Sequence, residues 1–150
     1  MQSKRLVRAE VAPFIVNRLK KQFTKKKMAV FSELGLNKRG RLRADILALS
    51  MSSIITIVEV KSSEADFKAD NKWELYLPFC NRFYFAVPEG LKLNVPKGIG
   101  IIAVNTTGKM RVIQKCKFRS IKSEEVKQNI LVRCAFRNSD NNTRKNKGNS

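Results

Sequence analysis

The chain predicts an α/β sandwich, helices packed around a mixed sheet in the order α-β-β-β-α-β with further strands following. Three observations carry that prediction. Apolar residues near the start recur at helical spacing. Three apolar runs separated by short polar turns then fill residues 28–61. A second helical pattern follows Ser62-Ser63 before the sequence returns to strand-like segments.

Residues 3–22 read as a helix, because Val7, Val11, Phe14, Ile15 and Leu19 share one face. Pro13 kinks it or marks a late start. After the basic loop Lys25-Lys26-Lys27 comes a strand over Met28–Leu36, and Asn37-Lys38-Arg39-Gly40 is a turn. Leu42–Leu49 is the second strand, Ser50–Ser53 a polar turn, and Ile54–Lys61 a third strand rich in β-branched residues. Ser62-Ser63 followed by Asp66 resembles a capping box, so a helix begins near Glu64. Ala65, Ala69, Trp73, Tyr76 and Cys80 give it an apolar stripe, with Pro78 near its end. Arg82–Val87, Gly98–Asn105 and Met110–Lys115 are strands, and Ser123–Phe136 is a final helix. Residues 1–137 thus form a single domain, and the Asn, Lys, Gly and Ser content of 138–150 predicts a disordered basic tail.

Composition narrows the function. The chain holds 31 Lys and Arg against 12 Asp and Glu, a net charge of +19. That surplus is uneven: nine basic residues oppose one acid in 1–32, and fourteen oppose three in 90–150, while 33–89 has eight of each. Basic flanks around a neutral, acid-containing centre suit a polyanionic partner, nucleic acid first, with carboxylates left to hold a cation. The chain contains no histidine, which excludes triads with a histidine base and histidine-dependent metallohydrolases. The longest uncharged stretch, Ile46–Val58, is shorter than the roughly 20 residues that a membrane span needs. Charges at Lys4, Arg5, Arg8 and Glu10 break any apolar leader. Cys80, Cys116 and Cys134 are widely spaced and odd in number, so they read as thiols in a reducing compartment, the cytoplasm. The lone Gly98-Ile99-Gly100 is a strand detail rather than a phosphate loop.

Asp45, Glu59 and Lys61 are charges set where the pattern asks for apolar residues. Two residues apart on a strand, Glu59 and Lys61 point to one face. If the short turn pairs the two strands, Asp45 falls opposite residue 58 or 59. Close carboxylates repel unless a cation joins them, and hard oxygens on a rigid hairpin suit Mg²⁺ or Mn²⁺. Lys61 could then orient the attacking water or stabilise developing phosphate charge. A strand end whose charges simply reach solvent gives the same pattern. Glu33, on the neighbouring strand, is a further carboxylate that either joins the ligands or is an ordinary exposed strand residue.

Asp45…Glu59-Val60-Lys61 in this element order resembles the PD-(D/E)xK nuclease superfamily, with its restriction-endonuclease-like fold. More narrowly, Arg43-Ala44-Asp45, Ile57-Val58-Glu59-Val60-Lys61-Ser62-Ser63, Asp66-Phe67, Asp70-x-Lys72-Trp73 and Arg82–Pro88 are similar to the MmcB-type DNA-repair endonucleases. The resemblance runs from about Glu33 to Val104. It implies a metal-dependent DNA endonuclease of repair or recombination. Asp45, Glu59, the Val60 carbonyl and, more faintly, Glu33 would hold Mg²⁺ or Mn²⁺, with Lys61 catalytic. Lys25, Lys26, Lys27, Lys38, Arg39, Arg41 and Arg43 are the expected DNA contacts. Small nucleases of this class often need two active sites to cut both strands, which a homodimer would supply. Ala44 stands where the superfamily usually has Pro, and Asn81 where these sequences usually carry Asp. The alternatives are a non-catalytic nucleic-acid-binding module that kept the fold and, third, a basic RNA-associated protein.

Overall fold

A computed structural model describes residues 6–39 and 41–148. Its elements are α1 (Arg8–Lys25), β1 (Ala29–Gly35), β2 (Arg43–Leu49), β3 (Ile55–Val60), α2 (Glu64–Ala69), a 3₁₀ helix (Trp73–Phe79), β4 (Arg82–Pro88), β5 (Gly100–Val104), β6 (Met110–Gln114) and α3 (Glu124–Gly148). The strands form one sheet in sequence order, β1-β2-β3-β4-β5-β6. Pairing is parallel for β3–β4 and β4–β5 and antiparallel elsewhere. This is the α/β, mixed-sheet architecture expected of a restriction-endonuclease-like core.

Helices cover both faces of the sheet. Ile15 and Leu19 of α1 pack on Ile46, Val58, Ala86 and Ile102. Leu47, Ile57, Phe83 and Phe85 point the other way, toward Tyr76 of the 3₁₀ segment, Cys80 just after it, and Ile130 and Cys134 of α3. All six residues of β3 are buried, as a central strand covered on both sides must be. Trp73 stacks on Phe83 at 6.0 Å and meets Phe85 edge-on at 5.5 Å, so it belongs to the core. Cys80 and Cys134 are buried and Cys116 is half-buried, all as free thiols. No helix among the described residues is long and apolar enough to cross a membrane.

Two segments differ from the sequence expectation. The helix predicted to run from Glu64 to Cys80 stops at Ala69. Asp70 takes an extended backbone, its side chain accepting from the Lys72 N–H at 2.9 Å, and the chain resumes as a 3₁₀ helix. Pro78 has no N–H to give to an α-helical ladder there. At the C-terminus α3 continues to Gly148, so residues 138–148 are helical rather than irregular. Helix extension needs only one further hydrogen bond per residue once nucleated, and Lys145 and Lys147 suit the last turn. Residues 1–5, the start of the first expected helix, lie outside the described residues.

Candidate active site

The site forms where β2 begins and β3 ends. The antiparallel register pairs Ile46 with Val58, which sets Asp45 against Glu59. The regular ladder stops there and the acids replace it. The Asp45 N–H donates to Glu59 Oε1 at 2.9 Å, and the Val60 N–H donates to Asp45 Oδ2 at 2.8 Å. Each carboxylate is therefore fixed by the strand that carries the other.

Both acids sit on the face of Ile55 and Ile57, beneath the 3₁₀ segment, and Glu59 is only 5% exposed. Burial, followed by the Asp45 charge, pushes the Glu59 carboxyl up to about 8. Burial is also the main cause that raises Asp45, with a further push from Glu33, while the Val60 N–H and Lys61 oppose the rise. With Glu59 lifted to about 8, the pair as a whole holds one proton near neutral pH. Tyr76 roofs the site, its hydroxyl donating to the Arg43 carbonyl at 2.7 Å. Desolvation first, then Glu59 and Asp45, raises its phenol.

Lys61 continues β3 by donating its N–H to the Ala86 carbonyl at 3.0 Å. Its ammonium lies 2.8 Å from Asp70 Oδ2, both side chains being largely buried. Asp70 is thus a site residue that sequence reasoning missed; the extended turn before Trp73 delivers it. Asp66 is placed otherwise. Its carboxylate accepts from the Ser62 N–H at 3.1 Å while Ser63 caps the Asp66 N–H, the expected capping arrangement.

Glu33 adopts φ +55°, interrupting the β1–β2 pairing between Ser32↔Ile46 and Leu34↔Ala44. Left-handed backbone is costly for a side chain other than glycine, and here Arg137 of α3 offsets it. Its guanidinium donates to the Ser32 carbonyl at 2.7 Å and the Glu33 carbonyl at 3.0 Å. Glu33 lies close enough to raise Asp45, yet among the described residues no three His, Cys, Asp or Glu side chains converge to hold a metal ion. A two-carboxylate site still fits Mg²⁺, which characteristically takes one or two carboxylates and completes its shell with water and phosphate. Burial lifts both acids, with a further push on Glu59 from Asp45 and on Asp45 from Glu33, and a bound dication would favour their ionised forms.

The seven expected DNA-contact residues divide into two groups. Lys38, Arg39, Arg41 and Arg43 are exposed at the carboxylate end, around a turn that Asn37 closes by accepting from the Arg41 N–H at 3.0 Å. Lys25, Lys26 and Lys27 sit before β1 begins, at the opposite end of the sheet. A seven-residue strand separates the groups by roughly 20 Å. Asn81 proves structural: Oδ1 accepts from the Ile55 N–H at 2.9 Å and Nδ2 donates to the Arg119 carbonyl at 2.8 Å. An Asp would lack that second donor.

Fold and site together define an α/β protein with an interlocked acid pair and a lysine at one end of its central strands. The profile of the MmcB-like family, described as DNA repair protein MmcB-like, matches residues 3–139, and the chain belongs to that family. A solved structure, a protein of unknown function from Silicibacter pomeroyi, superposes with a TM-score of 0.72 at 20% identity. The match covers 92% of this chain and 90% of that one. No curated protein matches significantly.

Proposed function

We propose that this member of a DNA-repair family is a metal-dependent endonuclease of the PD-(D/E)xK type, hydrolysing phosphodiester bonds in DNA in the cytoplasm. The observation that carries the reading is the pair of buried Glu59 and half-buried Asp45, each acid locked to the opposite strand and set beside Lys61. Taking two neighbouring carboxyl groups out of water is costly, and a purely structural strand end has no need of them. Asp45 and Glu59, with the Val60 carbonyl, would hold Mg²⁺ or Mn²⁺; Glu33 stands just outside. Such an ion, when bound, neutralises phosphate charge and lowers the pKa of a bound water. Lys61 directs its ammonium at that water or at the charge building on phosphate, and Asp70 sets its orientation. Lys38, Arg39, Arg41 and Arg43 grip the backbone beside the acids. A homodimer would supply a second site for the second strand.

The test is incubation of the purified protein with a panel of labelled duplex, single-stranded and branched DNAs. At least one should be nicked or cut with Mg²⁺ or Mn²⁺, none with EDTA, and Ca²⁺ should support binding alone. Cleavage that survives full chelation overturns the metal reading. Tight binding without cutting in every condition makes the chain a non-catalytic binder.

A further inference from the structure

The other face of the sheet carries a second feature, remote from the acids. α1 covers this face of the sheet as far as β5, all of whose residues are buried, and leaves β6 largely exposed. Beside it lie two adjoining hollows of about 240 and about 400 Å³, sharing Arg82, Tyr84 and Val112 in their linings. Together they form one trough. Lys26, Arg82 and Lys115 line it as cations, Phe23, Tyr84 and Phe118 as aromatics, and no Asp or Glu lines either hollow. Arg111 touches the trough but directs its guanidinium to Glu89, 3.4 Å away.

Two details make this an organised surface. The Tyr84 ring lies against Gly100, where a Cβ would come within 2.2 Å of its Cδ1. Gly100 has no left-handed φ to account for it, so the glycine is there to give the ring room to lie against the sheet. Phe118, 51% exposed, sits under the Arg82 guanidinium at 5.9 Å. An exposed aromatic with a cation above it, beside a second ring, is a stacking platform with charge at hand for phosphate.

We propose that this trough binds single-stranded nucleic acid, on the face opposite the carboxylate site. Charge complementarity selects the occupant. A second copy of this chain, pairing through the open β6 edge and its exposed Val112 and Ile113, would bring two surfaces of a +19 protein together. A polyanionic strand has no such penalty. Duplex DNA hides its base faces, whereas an unpaired strand can lay successive bases on Tyr84 and Phe118 while Lys26, Arg82 and Lys115 follow its phosphates. The proposal goes beyond the endonuclease reading and does not depend on it.

The experiment measures binding of a fluorescent oligothymidylate in EDTA, by anisotropy, to the wild type and to the double variant Arg82→Ala/Phe118→Ala. Both side chains are exposed, so folding should be kept, as circular dichroism would verify. Affinity for the single strand should fall roughly tenfold or more, while duplex affinity changes little. Ultraviolet crosslinks from the wild type should map to Tyr84 or Phe118. Asp45→Asn should bind the oligothymidylate as the wild type does, which separates this site from the nuclease reading. Wild-type affinity in the double variant, or crosslinks confined to residues 38–43, overturns the proposal. So does dissolution of a wild-type dimer by the double variant with single-strand binding unchanged.

Discussion

Glu59→Gln gives a quantitative test of the acid pair that needs no DNA. In the metal-free protein the Glu59 carboxyl is lifted from 4.5 to about 8, so it stays protonated while its unfolded counterpart ionises. The folded state then binds the extra proton. Stability is fully present below the unfolded value of 4.5, declines as pH rises, and has lost its whole contribution once pH passes about 8. One proton gives a maximal slope of about 1.4 kcal/mol per pH unit, and the full interval amounts to about 5 kcal/mol at the ceiling. Glutamine copies the protonated acid: Oε1 still accepts from the Asp45 N–H, and its amide donates toward Asp45. It cannot ionise, so its stability should stay nearly level over the same interval. Urea unfolding in EDTA at steps from about pH 5 to about pH 8, followed by Trp73 fluorescence, measures both slopes. Added Mg²⁺ should flatten the wild-type curve by occupying the ionised pair, with about 2.7 kcal/mol gained at a hundredfold excess over Kd. The variant should gain little. Equal slopes in the two proteins, or wild-type stability that rises with pH across this interval, would refute the shared-proton argument.

Asp45→Asn and Lys61→Ala should each abolish Mg²⁺-dependent cleavage while DNA binding by anisotropy is retained, whereas Asp66→Asn or Glu74→Gln should cost far less activity. Truncation after Arg137 removes Arg144, Lys145 and Lys147 against Asp140. The slope of log K against log salt should therefore drop by about 2, since each phosphate contact contributes about 0.9, and turnover at saturating DNA should hold. Arg137→Ala deletes both bonds to the Ser32 and Glu33 carbonyls and should destabilise the fold by about 1–3 kcal/mol in urea titration. An unchanged midpoint would mean that the left-handed turn of the backbone at Glu33 holds itself.

The placement of Glu59 and Lys61 was legible because strand alternation is a local rule, and both follow Ile55 and Ile57 onto one face. Asp45 opposite Glu59 follows from the brevity of the Ser50–Ser53 turn, although it is the strand register that decides between residues 58 and 59. Asp70 was not legible. Its role depends on a helix that breaks because its carboxylate is drawn to Lys61, a contact that local pattern does not encode. The stripe Ala65–Cys80 read as one helix because two short segments can satisfy the same spacing, and it concealed Tyr76 among core residues. The seven basic residues were all expected to contact DNA, but sequence does not say where they lie relative to one another. Topology parts them, because β1 carries the chain from one end of the sheet to the other between Lys27 and Lys38.

The cross-strand locking of Asp45 and Glu59 has a mechanical consequence. The last rung of the β2–β3 hairpin is built from the two acids themselves, so the candidate site and strand closure share the same four partners. Fraying that opens the strand ends by one residue separates the acids without disturbing Ile46↔Val58 or the core beneath. On the proposed endonuclease reading, competence would report the tightness of one hairpin tip. On heating, it should disappear while the rest of the molecule is still intact, with the Trp73 signal unchanged, and it should return on cooling as fast as a single rung can close.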